Sequence, residues 1–552
     1  MTPPRTKRLR SPRAPRCTTG SSRRRVGRML ALLTAIGATA GAESVMHRTA
    51  HADTAAVPTV RATTSNGLFT HNRDVRFAAA GIAPGTAWRV TDTNGAVVVR
   101  GAVLAGTPTA SVDVWARLEL GPGLYRLTVD SSPAATTRFV VTTERAERDP
   151  SFGLAVGGNP GPVAEALPTL DALGAGSYRQ DLQWTAVEKQ PGTFDFGPTD
   201  ARVDALVAER SMHPLFVLDY GHPAYTASAM SPPDVSDPVQ AAAWTRYVDA
   251  AVRHMRARYP EADRSFEVWN EWKNNHGALP SDPASYIALG ELTARTIRVA
   301  DPDARIVGPT ENAVSDSERA WLAEWLDLGG ADHVDAVSIH PYNEPWAPEH
   351  CVATNPCIED ALRWLRAEVD AHPRADGTTL PIWISEVGWP TAGAAGVPTG
   401  DQAAFVVRTQ VLAAQYGVER VFTFEMSAPD RVQGDGTYRA FGLTERPSLG
   451  YEPKPAAAAY ATMQRTLAGM HYAADLRTGD VRQVRFDSAD GRRHVRVVWQ
   501  TADRFATRSV QVALPGGGTL TEAYGASRSV TGANGRLSMS ATWMPRFVSW
   551  HD

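Results

Sequence analysis

The chain has 552 residues, 43% of them hydrophobic and 21% charged. That is globular composition with length for three or four domains of ~150 residues, and it excludes a mainly disordered chain. Residues 1–52 hold 11 basic and 1 acidic residue and the rest holds 45 basic and 58 acidic, so the body lacks the basic face that a nucleic-acid partner requires.

The leader comes first in chain order. Residues 1–28 are Arg-rich, and residues 29–42 are apolar but shorter than the ~20 residues of a membrane span. Ala50-His51-Ala52 supplies a small-x-small cleavage pattern. Residues 1–52 therefore read as an export signal cut after Ala52. Ser22-Arg23-Arg24-Arg25-Val26-Gly27-Arg28 leaves two routes open, a twin-arginine signal and an Arg-rich general secretory signal. No later run has transmembrane length, so the mature chain is expected to be released, extracellular and without a membrane partner.

Residues 54–145 carry short alternating segments at 75–77, 88–90, 96–99 and 125–129, separated by Thr93-Asn94-Gly95 and Gly121-Pro122-Gly123. This spacing predicts an N-terminal β-sandwich. From 151 the pattern changes to short apolar runs alternating with helical ones. Strands are predicted at 152–156, 177–182, 214–218, 266–269, 305–307, 336–340, 382–385 and 421–424. Helices are predicted around 244–255, 285–300, 316–328, 358–371 and 401–417. The first has Trp244, Tyr247, Val248, Ala251, Val252 and Met255 on one 3.6-residue face. Eight β-α repeats over 151–465 predict a (β/α)8 TIM barrel. A doubly wound sheet is disfavoured, because no Gly-rich phosphate loop follows the first strand. Residues 467–552 return to alternation at 495–499 and 509–514 and predict a C-terminal β-domain.

Two cysteines remain after Cys17 leaves with the leader. Cys351 and Cys357, six apart in an exported chain, predict one disulfide. The second pair of Cys or His that would complete a zinc shell is missing, so no metal is expected. Nor is an organic cofactor.

Barrel enzymes place their chemistry at the C-terminal ends of the strands. Strand four ends in Phe266-Glu267-Val268-Trp269-Asn270-Glu271-Trp272. Strand seven ends in Ile382-Trp383-Ile384-Ser385-Glu386-Val387-Gly388-Trp389. Glu267 and Glu271 share parity, which puts Glu267 deep in the strand and Glu271 at its rim.

These two motifs, in this order, resemble the retaining glycoside hydrolases of clan A. The Phe-Glu-Val-Trp-Asn-Glu form is most similar to glycoside hydrolase family 39 and its relatives. The resemblance implies double displacement, with Glu271 as acid/base of raised pKa and Glu386 as ionised nucleophile. It implies that Asn270 bonds the sugar 2-hydroxyl. Arg179 is expected to hold Glu386 ionised, with pairing to Asp181 as its bland alternative. His340 is expected to orient Glu271, and Tyr342 to bond Glu386. Asp219-Tyr220-Gly221-His222-Pro223 resembles a sugar-contacting loop of the family. Among Trp184, Trp272 and Trp389, at least one is expected to be a sugar platform. One departure stands at strand eight. It reads Phe422-Thr423-Phe424-Glu425-Met426, where relatives often have a Trp.

The expected substrate partner is an oligosaccharide or polysaccharide. A transglycosylase on the same site and a non-catalytic carbohydrate-binding wall protein are the competing readings. His-Glu-x-x-His and Gly-x-Ser-x-Gly are both absent, which leaves zinc and serine hydrolases unsupported.

Overall fold

The computed structural model describes residues 57–552 apart from 64, 71–74, 107–109, 114–119, 145–146, 157–162, 352–355, 375 and 431–439. The expected leader and its cleavage point after Ala52 lie outside the described residues.

Eight parallel strands close into a barrel. They are β1 (Phe152–Ala155), β2 (Ser177–Asp181), β3 (His213–Leu218), β4 (Ser265–Val268), β5 (Arg305–Glu311), β6 (Ala336–Ile339), β7 (Ile382–Val387) and β8 (Val418–Thr423). Closure is by β8 against β1, with Val421 opposite Phe152. All eight predicted strands are present. β5 runs four residues further than expected, to Glu311, because Gly308-Pro309 does not end it.

The strands are apolar runs because both faces are covered. Leu215, Val307, Ala336, Trp383 and Phe422 fill the barrel interior and are fully buried. Gly153 on β1 is required there: a Cβ would stand 2.5 Å from the Phe422 ring. Outside, the helix Pro238–Arg258 is capped by Asp237, whose Oδ1 accepts the Val239 N–H at 2.8 Å. Its buried face is Trp244, Tyr247, Val248, Ala251, Val252 and Met255, as the periodicity predicts. The helix Asp316–Asp327 begins with a capping box of Ser315 and Glu318.

Before the barrel, a five-stranded and a three-stranded sheet enclose Phe69, Phe77, Trp88 and Phe139. After it, a six-stranded sheet runs from the edge strand Met470–Asp475 to the edge strand Ser527–Thr531, with the last strand of the chain, Arg546–His551, inside it. Charged side chains tie both to the barrel. Arg138 bonds Glu445 at 3.0 Å and Glu452 at 2.7 Å. The buried Arg408 bonds Glu349 at 2.8 Å and lies 4.0 Å over the Trp543 ring. Among the described residues, no helix is long and apolar enough to cross a membrane.

Candidate active site

Strand direction gathers the site. β2, β4, β6 and β7 all end at one mouth, so Arg179, Glu271, His340 and Glu386 converge from distant parts of the sequence. Arg179 is the hub and is 4% exposed. Its Nε donates to Glu267 Oε2 at 2.6 Å, its Nη1 to Glu386 Oε1 at 2.5 Å and its Nη2 to Asn270 Oδ1 at 2.9 Å. One planar guanidinium thus orients three acceptors from two strands. Burial opposes its charge, but Glu267 and Glu386 more than offset this and raise its pKa. It makes no hydrogen bond to Asp181, which accepts one from Gln183 instead.

Glu386 has both oxygens engaged. Oε1 faces Arg179, and Oε2 accepts the Tyr342 hydroxyl at 2.9 Å. Burial, with Glu386 adding, pushes the Tyr342 pKa well up, so the phenol remains a donor. Glu271 is half-buried and meets His340 Nδ1 at 2.9 Å. The other ring nitrogen, Nε2, lies 3.0 Å from Ser385 Oγ. One oxygen each of Glu271 and Glu386, with a nitrogen of His340, lie within 4.8 Å of one another.

The expected raised pKa of Glu271 is not what the site gives. Burial pushes it up, but the His340 hydrogen bond and charge, with Arg179, pull it below the usual Glu value. For His340, burial lowers the pKa, and Glu386 and Glu271 together raise it above the usual His value. The sequence reading expected His340 to orient Glu271 but left its effect on the carboxyl's pKa out. Glu271 is half of a carboxyl–imidazole pair.

Asn270, Arg179, His340 and Tyr342 therefore all stand at the mouth, in contact with one of the two glutamates or with Arg179. Trp389 does not offer a face. It is 1% exposed, and its indole N–H donates to Trp346 O at 2.8 Å. Trp184 and Trp272 are fully buried as well. All three Trp fill space behind the loops, because the apolar shell around the barrel claims large rings first. The aromatic surface near the mouth comes from elsewhere. Phe424, half-buried at the end of β8, packs edge-on against Tyr342 and Phe441. Trp346, in the loop after β6, is 44% exposed and stacks on His350. The Asp219–Pro223 segment is packed: Asp219 is fully buried, and His222 Nε2 lies 2.8 Å from Glu188 O.

Sequence reasoning missed Thr310 and Glu311. Thr310 Oγ1 accepts the Glu271 N–H at 2.8 Å, and Glu311 Oε1 accepts the Lys273 N–H at 2.8 Å. The signal was an acid and a hydroxyl at the strand end, hidden behind Pro309.

Residues 170–416 match the model of glycosyl hydrolases family 39. That match spans less than half of the chain, and the barrel resembles those of family 39 glycoside hydrolases. A family 39 glycoside hydrolase from the gut symbiont Bacteroides cellulosilyticus WH2 superposes with a TM-score of 0.72 at 21% identity, covering 88% of this chain and 98% of that one. A monomeric beta-xylosidase from Caulobacter crescentus CB15 gives 0.52 at 21% identity, over 73% of this chain and 96% of that one. In sequence, a beta-xylosidase of Geobacillus stearothermophilus is 31% identical over 120 residues, 20% of this chain. This chain covers 22% of that curated relative. In this barrel, Glu271 stands just beyond β4 and Glu386 near the end of β7.

Proposed function

We propose that the protein is an exported retaining glycoside hydrolase, cleaving O-glycosidic bonds of an oligosaccharide or polysaccharide by double displacement. The observation that carries this is the Glu271–Glu386 spacing. Carboxyl oxygens within 4.8 Å suit the ~5–5.5 Å of direct attack better than the ~6.5–9.5 Å that leaves room for a water. Glu386 is the nucleophile. Arg179 and Tyr342 hold its two oxygens and stabilise its negative charge until it attacks the anomeric carbon. Glu271 is the acid/base. It shares a proton with His340, gives it to the leaving oxygen, and later takes one from the attacking water. Asn270, fixed by Arg179, bonds the 2-hydroxyl beside the nucleophile. Phe424 and Trp346 offer the aromatic surface that the buried Trp side chains do not.

The substrate is a neutral saccharide. Arg179 already donates to Glu267, Glu386 and Asn270, which leaves it poorly placed to take a uronate carboxylate. The beta-xylosidase similarity makes xylosides the first to try. Export by residues 1–52 places the work outside the cell. A panel of aryl glycosides and polysaccharides finds the substrate, and proton NMR of the first-formed product reads its anomer. Net retention is expected. Glu386→Ala removes the covalent intermediate and nearly all turnover. An inverted first product, or an active Glu386→Ala variant, sinks the proposal.

A further inference from the structure

We infer that Thr310 and Glu311 are positioning residues, which aim the Glu271 carboxyl by clamping the turn after β4 onto the end of β5. The inference rests on Glu271 being the acid/base.

The turn is held in an unfavourable backbone. Glu271 has φ 48° and ψ 63°, the left-handed region, and Trp269 two residues earlier has φ 63°. Across from them, Thr310 has φ 66°. A left-handed β-branched residue is a true outlier, and such strain persists only where its surroundings impose it. The three lie where the ends of β4 and β5 meet. The cause on the β5 side is a bulge: pairing with β6 slips between Pro309 and Glu311. A bulge re-aims side chains next to the slip.

Here it re-aims two acceptors onto one turn. Thr310 Oγ1 takes the Glu271 N–H and Glu311 Oε1 takes the Lys273 N–H. These amides open the short helix Trp272–Asn275, whose first N–H groups have no partner within the helix. A third tie leaves the same bulge. The His340 N–H donates to Glu311 O at 3.0 Å, so the imidazole that meets Glu271 Oε1 is referenced to the same two residues. Thr310 is fully buried and Glu311 is 1% exposed. Both act through Glu271 and His340.

The consequence is specific to proton transfer. A misaimed acid fails where the leaving group needs a proton and matters little where it does not. The test uses the full chain with phenyl and 2,4-dinitrophenyl glycosides of the sugar turned over in the panel. Thr310→Gly accommodates the left-handed backbone and removes Oγ1. Glu311→Ala removes the second acceptor. Each is expected to lower kcat/KM at least about tenfold for the phenyl glycoside and less than about threefold for the dinitrophenyl one. Thr310→Ser keeps the hydroxyl and is expected to restore the wild-type ratio. Circular dichroism confirms folding of each. Equal losses on both leaving groups in the folded Gly variant overturn the inference, as does no loss on either. Glu271→Ala is the reference. If it shows no leaving-group dependence, the acid/base reading itself fails and this inference with it. If it does and Thr310→Gly does not, the clamp alone fails.

Discussion

His340 Nδ1 lies 2.9 Å from Glu271 Oε1, and the nitrogen opposite it lies 3.0 Å from Ser385 Oγ, one residue before Glu386. One ring thus joins Glu271, the proposed acid/base, to the residue before Glu386, the proposed nucleophile. Burial pushes Glu271 up and His340 down, yet each is moved the other way by its partner and by the surrounding charges. The pair holds one proton until the pH passes the raised pKa of His340.

His340→Gln should therefore move the alkaline limb of kcat/KM to lower pH. In the wild type the last proton of the pair is lost above ~6.5, the ordinary His value. In the variant only Glu271 carries it, and a carboxyl releases it earlier. An alkaline limb that stays put, measured with a phenyl glycoside, would show that the ring does not share the proton.

Arg179 is the residue whose loss should hurt both stability and chemistry. Glu267 is fully buried and its Oε2 sits on the guanidinium. Arg179→Met leaves that carboxylate unpaired, at a cost of about 3–5 kcal/mol. Adding Glu267→Gln removes the buried charge and should recover much of the loss in urea denaturation. It should not recover turnover, since Glu386 still lacks its cation. Recovery of both would reduce Arg179 to a structural role.

The Cys351–Cys357 bridge, predicted from spacing in the sequence, is present, with a Cα–Cα distance of 4.4 Å. Cys357 is fully buried at the start of the helix Ile358–Ala371, and Cys351 is exposed. A separation of six residues closes a small loop. Reduction should therefore cost no more than about 2 kcal/mol, the low end for disulfides. Thiol titration of the denatured, unreduced chain lacking residues 1–52 should find no free thiol. A loss of stability well above that figure on reduction would mean that the bridge holds more than its own loop.

Much of this was legible because barrel strands and strand-end carboxylates leave local marks. The β4 and β7 motifs lie within seven and eight residues, and position along the strand separated the deep Glu267 from Glu271. What escaped depends on distances across the fold. Trp389 reads like a platform, and only the packed loop shows its indole donating to Trp346 O. The strand was expected to stop at Val307, while the bulge between Pro309 and Glu311 builds the clamp. The pKa of Glu271 reverses direction because His340 comes from β6, 69 residues away. Local sequence gives the residue type, and long-range contact decides its protonation.

Glu311 leads to a stability measurement. Burial, with the charge of Glu271 adding, pushes it up to about 7, against pull from the Lys273 N–H and His340. Its folded pKa therefore exceeds its unfolded one. Between pH ~4.5 and ~7 the folded chain keeps a proton that the unfolded chain has released, so stability falls as pH rises through this window. His340 works in the same direction above ~6.5, where its raised pKa makes the folded chain hold a proton longer. Glu311→Gln keeps an oxygen for the Lys273 N–H and removes the titration. Urea denaturation of both proteins at several pH values should show the variant gaining on the wild type from pH ~4.5 to ~7. Above that the difference should level off, at about 3 kcal/mol for a shift of this size. A difference that does not change with pH would place the Glu311 proton elsewhere.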